Sequence, residues 1–386
     1  METINRFFKP PEQSFFLFGP RGTGKSTLVR RYFKDAIYLD LLDPEVFRTY
    51  SANPERLRER LLASGKGTTV IIDEIQKIPQ LLDLVHALIE RKTGWRFVLT
   101  GSSSRKLKRT GIDLLAGRAL LCSLHPFTAA ELGKAFSLED ALDHGLLPVV
   151  LDSADPNKVL QTYAALYLRE EVQMESLVRN IGNFTRFLEA VSFSHASVLN
   201  ITNIARECQV ERKVVEGYIS VLEDLLLAYR LPVFSKRAKR ALVTHPKFYL
   251  FDAGVYRSLR PRGPLDRPEE IDGHAFEGLV AEHLRAWIDY SGRSFTLHFW
   301  RTRSGVEVDF VVYGADGLFA IETKNTARLQ PQDLRGLRSF QEDYPQSKAY
   351  LLYRGKERLM KNGILCIPCE EFLLALHPDH LIDRNL

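Results

Sequence analysis

The stretch FLFGPRGTGKSTLV, residues 16–29, decides the fold of the N-terminal third of the chain. Its apolar start is typical of a buried strand, and the residues after Lys25 follow a helical pattern. Between them, Gly19 to Ser26 match G-x-x-x-x-G-K-[ST], a turn whose glycines let backbone N–H groups surround phosphate oxygens. Because strand, turn and helix follow in the required order, a chance glycine-rich turn is the weaker interpretation.

This loop predicts a site for the phosphates of a nucleotide. Lys25 would reach the β and γ phosphates, and the Ser26 hydroxyl would hold Mg²⁺. The positive end of the following helix adds to the attraction for phosphate. The predicted nucleotide-binding residues are Gly19, Pro20, Arg21, Gly22, Thr23, Gly24, Lys25, Ser26 and Thr27.

Short apolar segments alternate with helical patterns through residues 1–155. The candidate strands are FFLF at 15, AIYLD at 36, TVIID at 69, RFVLT at 96 and ALLCSL at 119. This alternation predicts an α/β domain with a mostly parallel sheet covered by helices.

Polar residues at the ends of these strands predict hydrolysis. Asp73 suits Mg²⁺ coordination, and Glu74 suits polarising the attacking water. An adjacent Asp-Glu pair favours hydrolysis over transfer to a bound acceptor, which disfavours a small-molecule kinase. Ser102 is placed to contact the γ-phosphate or the water. Arg118 would reach the nucleotide of a neighbouring subunit and stabilise charge on the transferring phosphoryl group.

Residues 156–245 change to helical periodicity. Within them, residues 201–233 predict a helix, a turn, a second helix and a strand, the order of a winged helix. The second helix and the basic segment SKRAKR (235–240) suit phosphate contacts. The predicted DNA contacts are Arg212, Lys213, Lys236, Arg237, Lys239 and Arg240. The open alternative is a winged helix that serves as an ATPase lid or an oligomer contact.

Strand patterns return over residues 246–386 and predict a third, α/β domain with a mixed sheet. Glu322 and Lys324 share one face of a strand, and Asp309 lies on an adjacent strand. Such carboxylates can hold a divalent ion while the lysine orients or deprotonates a water for attack on a phosphodiester. The pattern also fits an ion-paired structural remnant that never cuts.

Glu277 belongs to the same predicted cluster. It sits in a helical pattern beside Val280, Leu284 and Ile288, on the apolar side of that helix. A carboxylate there needs a partner, which a metal ion or Lys324 would supply.

Composition is that of an ordinary soluble protein, with 45% hydrophobic and 26% charged residues. The net charge of +5 permits an anionic partner without requiring one. The 4 cysteines are few, which argues against a disulfide framework. With no signal-peptide pattern and no apolar run of bilayer length, the expected location is the cytoplasm, away from membranes.

The motifs GPRGTGKST, IIDEIQKIP, LTGSSS and LAGR, in this order, resemble the AAA+ ATPases of bacteria and archaea that carry a C-terminal domain of unknown function. The resemblance continues through YLREEVQMESLVRN, PKFYLFDAGV, FEGLVAEHL and EVDF...IETK, and so covers nearly the whole chain. It implies a five-stranded AAA+ core, a winged-helix unit and a restriction-endonuclease-like module, with Glu277, Asp309, Glu322 and Lys324 as its PD-(D/E)xK residues.

The expected domains are a P-loop ATPase core (1–155), a helical and winged-helix unit (156–245) and a nuclease-like α/β domain (246–386). The expected function is ATP hydrolysis in a ring, a hexamer by family analogy, coupled to action on DNA. Its cofactors would be ATP and Mg²⁺, with a second Mg²⁺ or Mn²⁺ if the nuclease pattern is active. The alternative is an ATP-dependent switch or scaffold that binds a protein partner through a non-cutting nuclease-like domain.

Overall fold

The computed structural model describes residues 4–65, 67–92, 94–103, 117–167, 181–236, 238–264 and 266–384. The chain forms two compact units. The N-terminal unit comprises Phe8–His125 and Asp224–Leu226, and the C-terminal unit comprises Met1–Phe7, Pro126–Glu223 and Leu227–Leu386. The sequence suggests three domains, whereas the structure forms two compact units.

A five-stranded parallel sheet forms the centre of the N-terminal unit, and it confirms the predicted α/β fold. The spatial order is β2-β3-β4-β1-β5. The strands are β1 (Phe15–Phe18), β2 (Ile37–Asp40), β3 (Thr69–Asp73), β4 (Arg96–Gly101) and β5 (Leu120–Ser123). Because parallel strands end at one edge, the residues that follow β1, β3 and β4 lie along the same side of the sheet.

Helices cover this sheet and bury its apolar side chains. They are α1 (Lys25–Tyr32), α2 (Pro44–Ala52), α3 (Arg56–Ser64) and α4 (Gln80–Glu90). The sequence of α4 shows why it packs there: Leu81, Leu84, Val85 and Leu88 recur at helical spacing and all are buried. They join Phe16, Ile72 and Leu99 of the central strands in one core.

Four short helices lie in the part of the C-terminal unit that follows Pro126. They are α5 (Ala129–Leu132), α6 (Leu138–His144), α7 (Pro148–Leu151) and α8 (Pro156–Thr162). Buried hydrogen bonds tie them to later parts of the same unit: Leu146 N–H donates to Asp252 (2.9 Å) and Ala129 N–H to His283 Nε2 (2.9 Å). These bonds explain why residues 126–155 group with the C-terminal unit.

Three helices and a small sheet follow. They are α9 (Ile181–Ser192), β6 (Ser197–Val198), α10 (Ile201–Cys208), α11 (Arg212–Asp224), β7 (Ala228–Leu231) and β8 (Lys247–Leu250), with the strands in the antiparallel order β6-β8-β7. Gln209, with φ 54°, ends α10 in the left-handed conformation and makes the turn into α11. The predicted succession of helix, turn, helix and strand is confirmed.

A six-stranded mixed sheet completes the C-terminal unit, in the order β13-β14-β12-β11-β10-β9. Its strands are β9 (Phe295–Arg301), β10 (Glu307–Gly314), β11 (Gly317–Lys324), β12 (Lys348–Tyr353), β13 (Leu359–Lys361) and β14 (Ile364–Pro368). The helices of this part are α12 (Ala253–Leu259), α13 (Pro268–Ser291), α14 (Arg335–Asp343) and α15 (Cys369–Ala375). The predicted mixed sheet is confirmed.

The first described residues belong to the C-terminal unit. Arg6 forms an ion pair with Glu131 (3.3 Å) and donates a hydrogen bond to Tyr290 (3.2 Å), while its guanidinium lies over the ring of Phe127. Phe7 N–H donates to Glu131 (2.7 Å). Buried contacts therefore fix this segment to the body that begins again at Pro126.

Among the residues that the structure describes, no helix is both long enough and apolar enough to span a membrane.

Candidate functional site

The glycine-rich loop lies between β1 and α1, as the sequence predicts. Gly22 and Gly24 both have φ 86°, a left-handed conformation that favours glycine. A Cβ on Gly19 would stand 2.4 Å from the carbonyl oxygen of Leu124, so only glycine fits there. The loop shape therefore depends on these three glycines.

Lys25 is the first residue of α1, and its ammonium turns back over the loop. Nζ donates to the carbonyl oxygens of Gly19 (2.8 Å) and Pro20 (3.1 Å), and only 5% of the residue is exposed. Ser26 is half-buried in the first helical turn, whereas Thr27 is exposed. The ammonium and the N-terminal end of α1 together give the loop the charge that phosphate requires.

Asp73 ends β3, and its carboxylate accepts hydrogen bonds from two neighbouring strands. Thr100 of β4 donates to one oxygen and Tyr38 of β2 donates to the other. Burial and the bond to Asp73 raise the pKa of Tyr38, so the phenol remains a donor at neutral pH. The Asp73 side chain, in a residue only 2% exposed, is thus fixed by neutral hydroxyls.

Glu74 follows in a left-handed backbone conformation, with φ 59° and ψ 48°. Its carboxylate accepts hydrogen bonds from Gln76 and from the Ser102 hydroxyl (3.2 Å), while its N–H donates to Thr100 (3.1 Å). Gln76 also donates to Ser102 (3.2 Å). Because non-glycine residues rarely adopt this conformation, the turn aims the Glu74 side chain at a cost in backbone strain.

The structure brings Asp73, Glu74 and Ser102 together at one sheet edge, with the glycine-rich loop after the neighbouring strand. Sequence reasoning missed Tyr38, Gln76 and Thr100, which hold the two carboxylates. Thr100 carried a signal, since it ends a strand among hydroxyl residues. Tyr38 carried none, because a tyrosine within a strand is ordinarily a packing residue.

Arg118 lies just before β5 and forms an ion pair with Glu90 at the end of α4. Its side chain is 40% exposed. Its predicted role toward the nucleotide of another subunit stays a prediction.

A second charged cluster lies in the C-terminal unit and contains the predicted nuclease residues. Lys324 Nζ lies 2.7 Å from Glu322, and Asp309 N–H donates to the other Glu322 oxygen (3.3 Å). Asp309 also accepts from the N–H (2.9 Å) and hydroxyl (2.8 Å) of Thr323. Burial, then the charge of Asp309, raises the pKa of Glu322 to about 8.

Glu277 lies beside a different lysine from the predicted Lys324. The carboxylate lies against Lys247 (2.8 Å) and the hydroxyl of Tyr249 (2.6 Å), both in β8. Lys247 also pairs with Asp309 (3.3 Å) and with Glu307. Sequence reasoning missed Lys247 because it precedes Glu277, the first residue of the nuclease-like pattern, by 30 positions, in a strand of the small sheet.

No group of three or more His, Cys, Asp and Glu side chains is arranged to hold a metal ion within the described ranges. The expected second Mg²⁺ or Mn²⁺ therefore has no ready donor set among these residues.

The predicted DNA-contact residues lie in two places. Arg212 and Lys213 are exposed at the start of α11, where Arg212 pairs with Glu216 (3.4 Å). The opposite face of α11 buries Val215, Tyr218, Ile219 and Leu222.

The residues that flank the basic segment contact β9 and the residue after it. Isolated β-bridges join Val233 to Phe299 and Leu242 to Thr302. Arg240 pairs with Glu342 (2.6 Å) and Asp343 (3.0 Å), and the ammonium of Lys236 stands 4.0 Å from the centre of the Tyr313 ring. Lys239 is exposed, and Arg237 lies outside the described residues. Two of the predicted phosphate contacts are therefore already engaged within the unit.

Residues 11–133 match the family model of an AAA domain. The first third of the chain is therefore similar to AAA domains. Residues 135–266 and 272–372 match two further models, each described as a domain of unknown function (DUF8612 and DUF4143).

Two curated relatives match over most of the chain. An uncharacterized protein of Mycobacterium tuberculosis is 28% identical over 379 residues, which cover 95% of this chain and 82% of that protein. An uncharacterized protein of Haemophilus influenzae is 20% identical over 346 residues, covering 82% and 83% respectively. The similarity thus extends well beyond the glycine-rich loop.

Two solved structures show weak likeness. The replication initiator DnaA bound to AMPPCP and single-stranded DNA is 11% identical and covers 55% of this chain and 82% of its own, with a TM-score of 0.29. The Aeropyrum pernix ORC2 protein in its ADP form is 12% identical and covers 70% and 88%, with a TM-score of 0.31. Scores of this size settle neither fold nor function.

Proposed function

We propose that this protein is an AAA+ ATPase that hydrolyses ATP in an oligomeric ring and acts on DNA. The observation that carries the proposal is the edge of the parallel sheet, where the glycine-rich loop, Asp73, Glu74 and Ser102 meet. Phosphate-binding and water-activating groups are the two requirements of hydrolysis, and here they follow β1 and β3, the two strands on either side of β4. The AAA-domain match over residues 11–133 supports the same conclusion.

The loop residues fit a nucleotide. Gly19, Gly22 and Gly24 allow the backbone close to the phosphates, and Lys25 would exchange its two carbonyl partners for phosphate oxygens. Ser26 and Asp73 supply the hydroxyl and carboxylate oxygens that Mg²⁺ prefers, and they would hold it. When bound, Mg²⁺ supplies neutralisation of charge on the phosphates.

Glu74 is the proposed base that orients the attacking water. Its hydrogen bonds from Gln76 and Ser102 fix the direction of the carboxylate. Ser102 thereby links the water-activating carboxylate to β4, beside the loop. Arg118, released from Glu90, would act on the nucleotide of the next subunit in the ring, which we propose to be a hexamer.

DNA would be held by the C-terminal unit. The exposed start of α11, with Arg212 and Lys213, and the exposed Lys239 are the proposed phosphate contacts. Residues 156–245 would then form a winged helix and residues 246–386 a nuclease-like domain, after a core that ends near residue 155. We place this activity in the cytoplasm.

One observation favours the second candidate for the nuclease-like part, which is a domain that does not cut. The four proposed nuclease residues are engaged with one another or with Lys247 and Tyr249. In that case the chain is an ATP-dependent switch or scaffold, and its C-terminal unit recognises a protein partner.

The first test is steady-state ATP turnover, without DNA and then with single-stranded, duplex, forked and four-way DNA. Lys25→Ala is the inactive reference, and Lys34→Ala, an exposed lysine just beyond α1, is the matched control. Stimulation by one DNA form supports a DNA-coupled ATPase. Turnover that no DNA form changes favours the switch or scaffold, and no turnover above Lys25→Ala contradicts the proposal.

The second test separates binding from cutting. Lys213→Glu and Lys239→Glu should weaken DNA binding and reduce its salt dependence, whereas Lys356→Glu, an exposed residue elsewhere in the unit, should not. Incubation with Mg²⁺ or Mn²⁺ then tests cleavage of each DNA form. Cutting that Lys324→Ala abolishes would establish the nuclease.

A further inference from the structure

Lys247 is a buried lysine at the centre of an acidic cluster. Its side chain is 2% exposed, yet Nζ lies 2.8 Å from Glu277 and 3.3 Å from Asp309, and it also pairs with Glu307. An ammonium has three N–H donors, and three carboxylates surround this one. The hydrogen-bonding capacity of Lys247 is therefore fully used inside the protein.

The carboxyl groups of the cluster also have other partners. Tyr249 donates to Glu277, Thr323 to Asp309, Lys324 to Glu322, and Arg301 pairs with Glu307 (3.0 Å). In this cluster three cations, Lys247, Lys324 and Arg301, thus face four carboxyl groups. A divalent ion entering this cluster would have to displace a protein cation, since like charges at these distances repel strongly in a buried site.

Lys247 stays charged under ordinary conditions. Burial by itself lowers the pKa of this ammonium, but the charges of Glu277, Asp309 and Glu307 raise it well above its usual value. A buried ammonium is tolerated only when it is paired in this way. It is therefore a permanent cation of the site.

The position of Lys247 in the fold holds it there. It opens β8, the central strand of the small sheet, while Asp309 and Glu322 belong to β10 and β11 of the six-stranded sheet and Glu277 to α13. The ion pairs thus join two sheets and a helix of the same unit. Movement of Lys247 away from the carboxylates would require β8 to leave its sheet.

We propose that the Lys247 ammonium is the built-in cation of this cluster and takes the place of a divalent metal ion. The carboxylates then have a structural role, and the C-terminal unit binds neither Mg²⁺ nor Mn²⁺ through them. Removing Lys247 would take from Glu277 and Asp309 the ammonium that pairs with both, and a divalent ion can fill that position. This inference concerns the C-terminal unit alone and stands whether or not the protein hydrolyses ATP.

The test is Mn²⁺ titration of the full chain without nucleotide, followed by electron paramagnetic resonance of free Mn²⁺. Asp309→Asn removes one carboxylate of the cluster and leaves the ATP site intact. Any Mn²⁺ ion that this variant fails to bind is therefore bound through the cluster, because Mn²⁺ held at the ATP site is common to all variants. Wild type and Asp309→Asn should bind the same number of ions. Lys247→Met should bind one ion more than wild type, with an affinity at least tenfold higher than that of any ion that wild type binds through the cluster. The double variant Lys247→Met with Asp309→Asn should not bind this ion.

Lys356→Met controls for the loss of an exposed lysine and should behave as wild type. One ion bound by wild type and absent from Asp309→Asn would overturn the proposal. A folded Lys247→Met variant that binds no additional ion would also overturn it, because the ammonium would then not occupy a metal position. If Lys247→Met does not fold, the comparison of wild type with Asp309→Asn still decides.

Discussion

The two charged sites of this protein use the same residue types in opposite ways. At the edge of the parallel sheet, Asp73 and Glu74 are oriented by neutral hydroxyl and amide donors. In the C-terminal unit, Glu277 and Asp309 are neutralised by a buried ammonium. Neutral donors fix the position of a carboxylate and leave its charge able to attract a cation. In an ion pair, that charge is already balanced by the protein's own cation.

This contrast suggests that the first site is built for a ligand and the second for stability. The Lys25 ammonium bonds to the carbonyl oxygens of Gly19 and Pro20, which a phosphate can replace. The Lys247 ammonium bonds to carboxylates that belong to other elements of its own unit. Mutations should therefore separate activity from stability.

The largest expected effect on stability is that of Lys247→Ala. It leaves buried Asp309 and the partly buried Glu277 and Glu307 without their shared cation, and breaking a buried ion pair in this way costs about 3–5 kcal/mol. Denaturant unfolding measures the change. Lys324→Ala is the comparison, and it should cost less because that side chain is 33% exposed. Equal losses would remove the distinction between the two lysines.

Lys25→Ala should do the reverse. Turnover of ATP should fall by a factor of about 10²–10³, the usual effect of removing one charged or dipolar group from a transition state. The free energy of unfolding should change by less than about 1 kcal/mol, because the bonds from this ammonium to Gly19 and Pro20 join it to neutral loop carbonyls and not to buried carboxylates. A large loss of stability would show that this ammonium, too, is structural.

The pH dependence of stability should depend on Glu322. Burial raises its pKa to about 8, so the folded state holds the proton more tightly than the unfolded state does. Its contribution to stability is greatest at low pH and is lost as the pH rises toward 8. The unfolding free energy of wild type should fall between pH 5 and pH 8. In Glu322→Gln this fall should be smaller by more than about 1.4 kcal/mol, the equivalent of one pKa unit. An unchanged slope would mean that the carboxylate is fully neutralised by Lys324.

The smallest effects concern the basic segment. Arg240→Ala should cost about 1 kcal/mol, because it removes a half-exposed pair with Glu342 and Asp343, whereas Lys239→Ala should cost almost nothing. DNA affinity should show the opposite order, since only Lys239 is exposed without being held by those acids. Filter binding at two salt concentrations measures it. A greater loss of affinity in Arg240→Ala would show that DNA displaces the acidic partners.

The sequence predicted most of the N-terminal unit because its signals are local. Each strand is a short apolar run, and the glycine-rich loop needs its glycines for reasons visible in the motif itself. Asp73, Glu74 and Ser102 could be placed because parallel strands bring their ends to one edge. Tyr38 and Gln76 could not, since their hydrogen bonds depend on strand order and on the left-handed turn at Glu74.

The C-terminal unit was less predictable because its key contacts are distant in sequence. The mixed sheet and the helix-turn-helix order follow from periodicity, but the pairing of Lys247 with Glu277 and Asp309 joins elements 30 and 62 residues apart. A lone lysine at the start of an apolar strand gives no signal of such a role. Likewise, only the structure places residue 240 beside the acids that end α14.

The attachment of residues 4–7 to the C-terminal unit makes residues 8–125 an insertion within another folded body. The chain leaves that body after Phe7 and returns to it at Pro126. A single cut of the backbone near residue 125 should therefore not release the two fragments, because Arg6 and Phe7 keep the shorter one bound to Glu131.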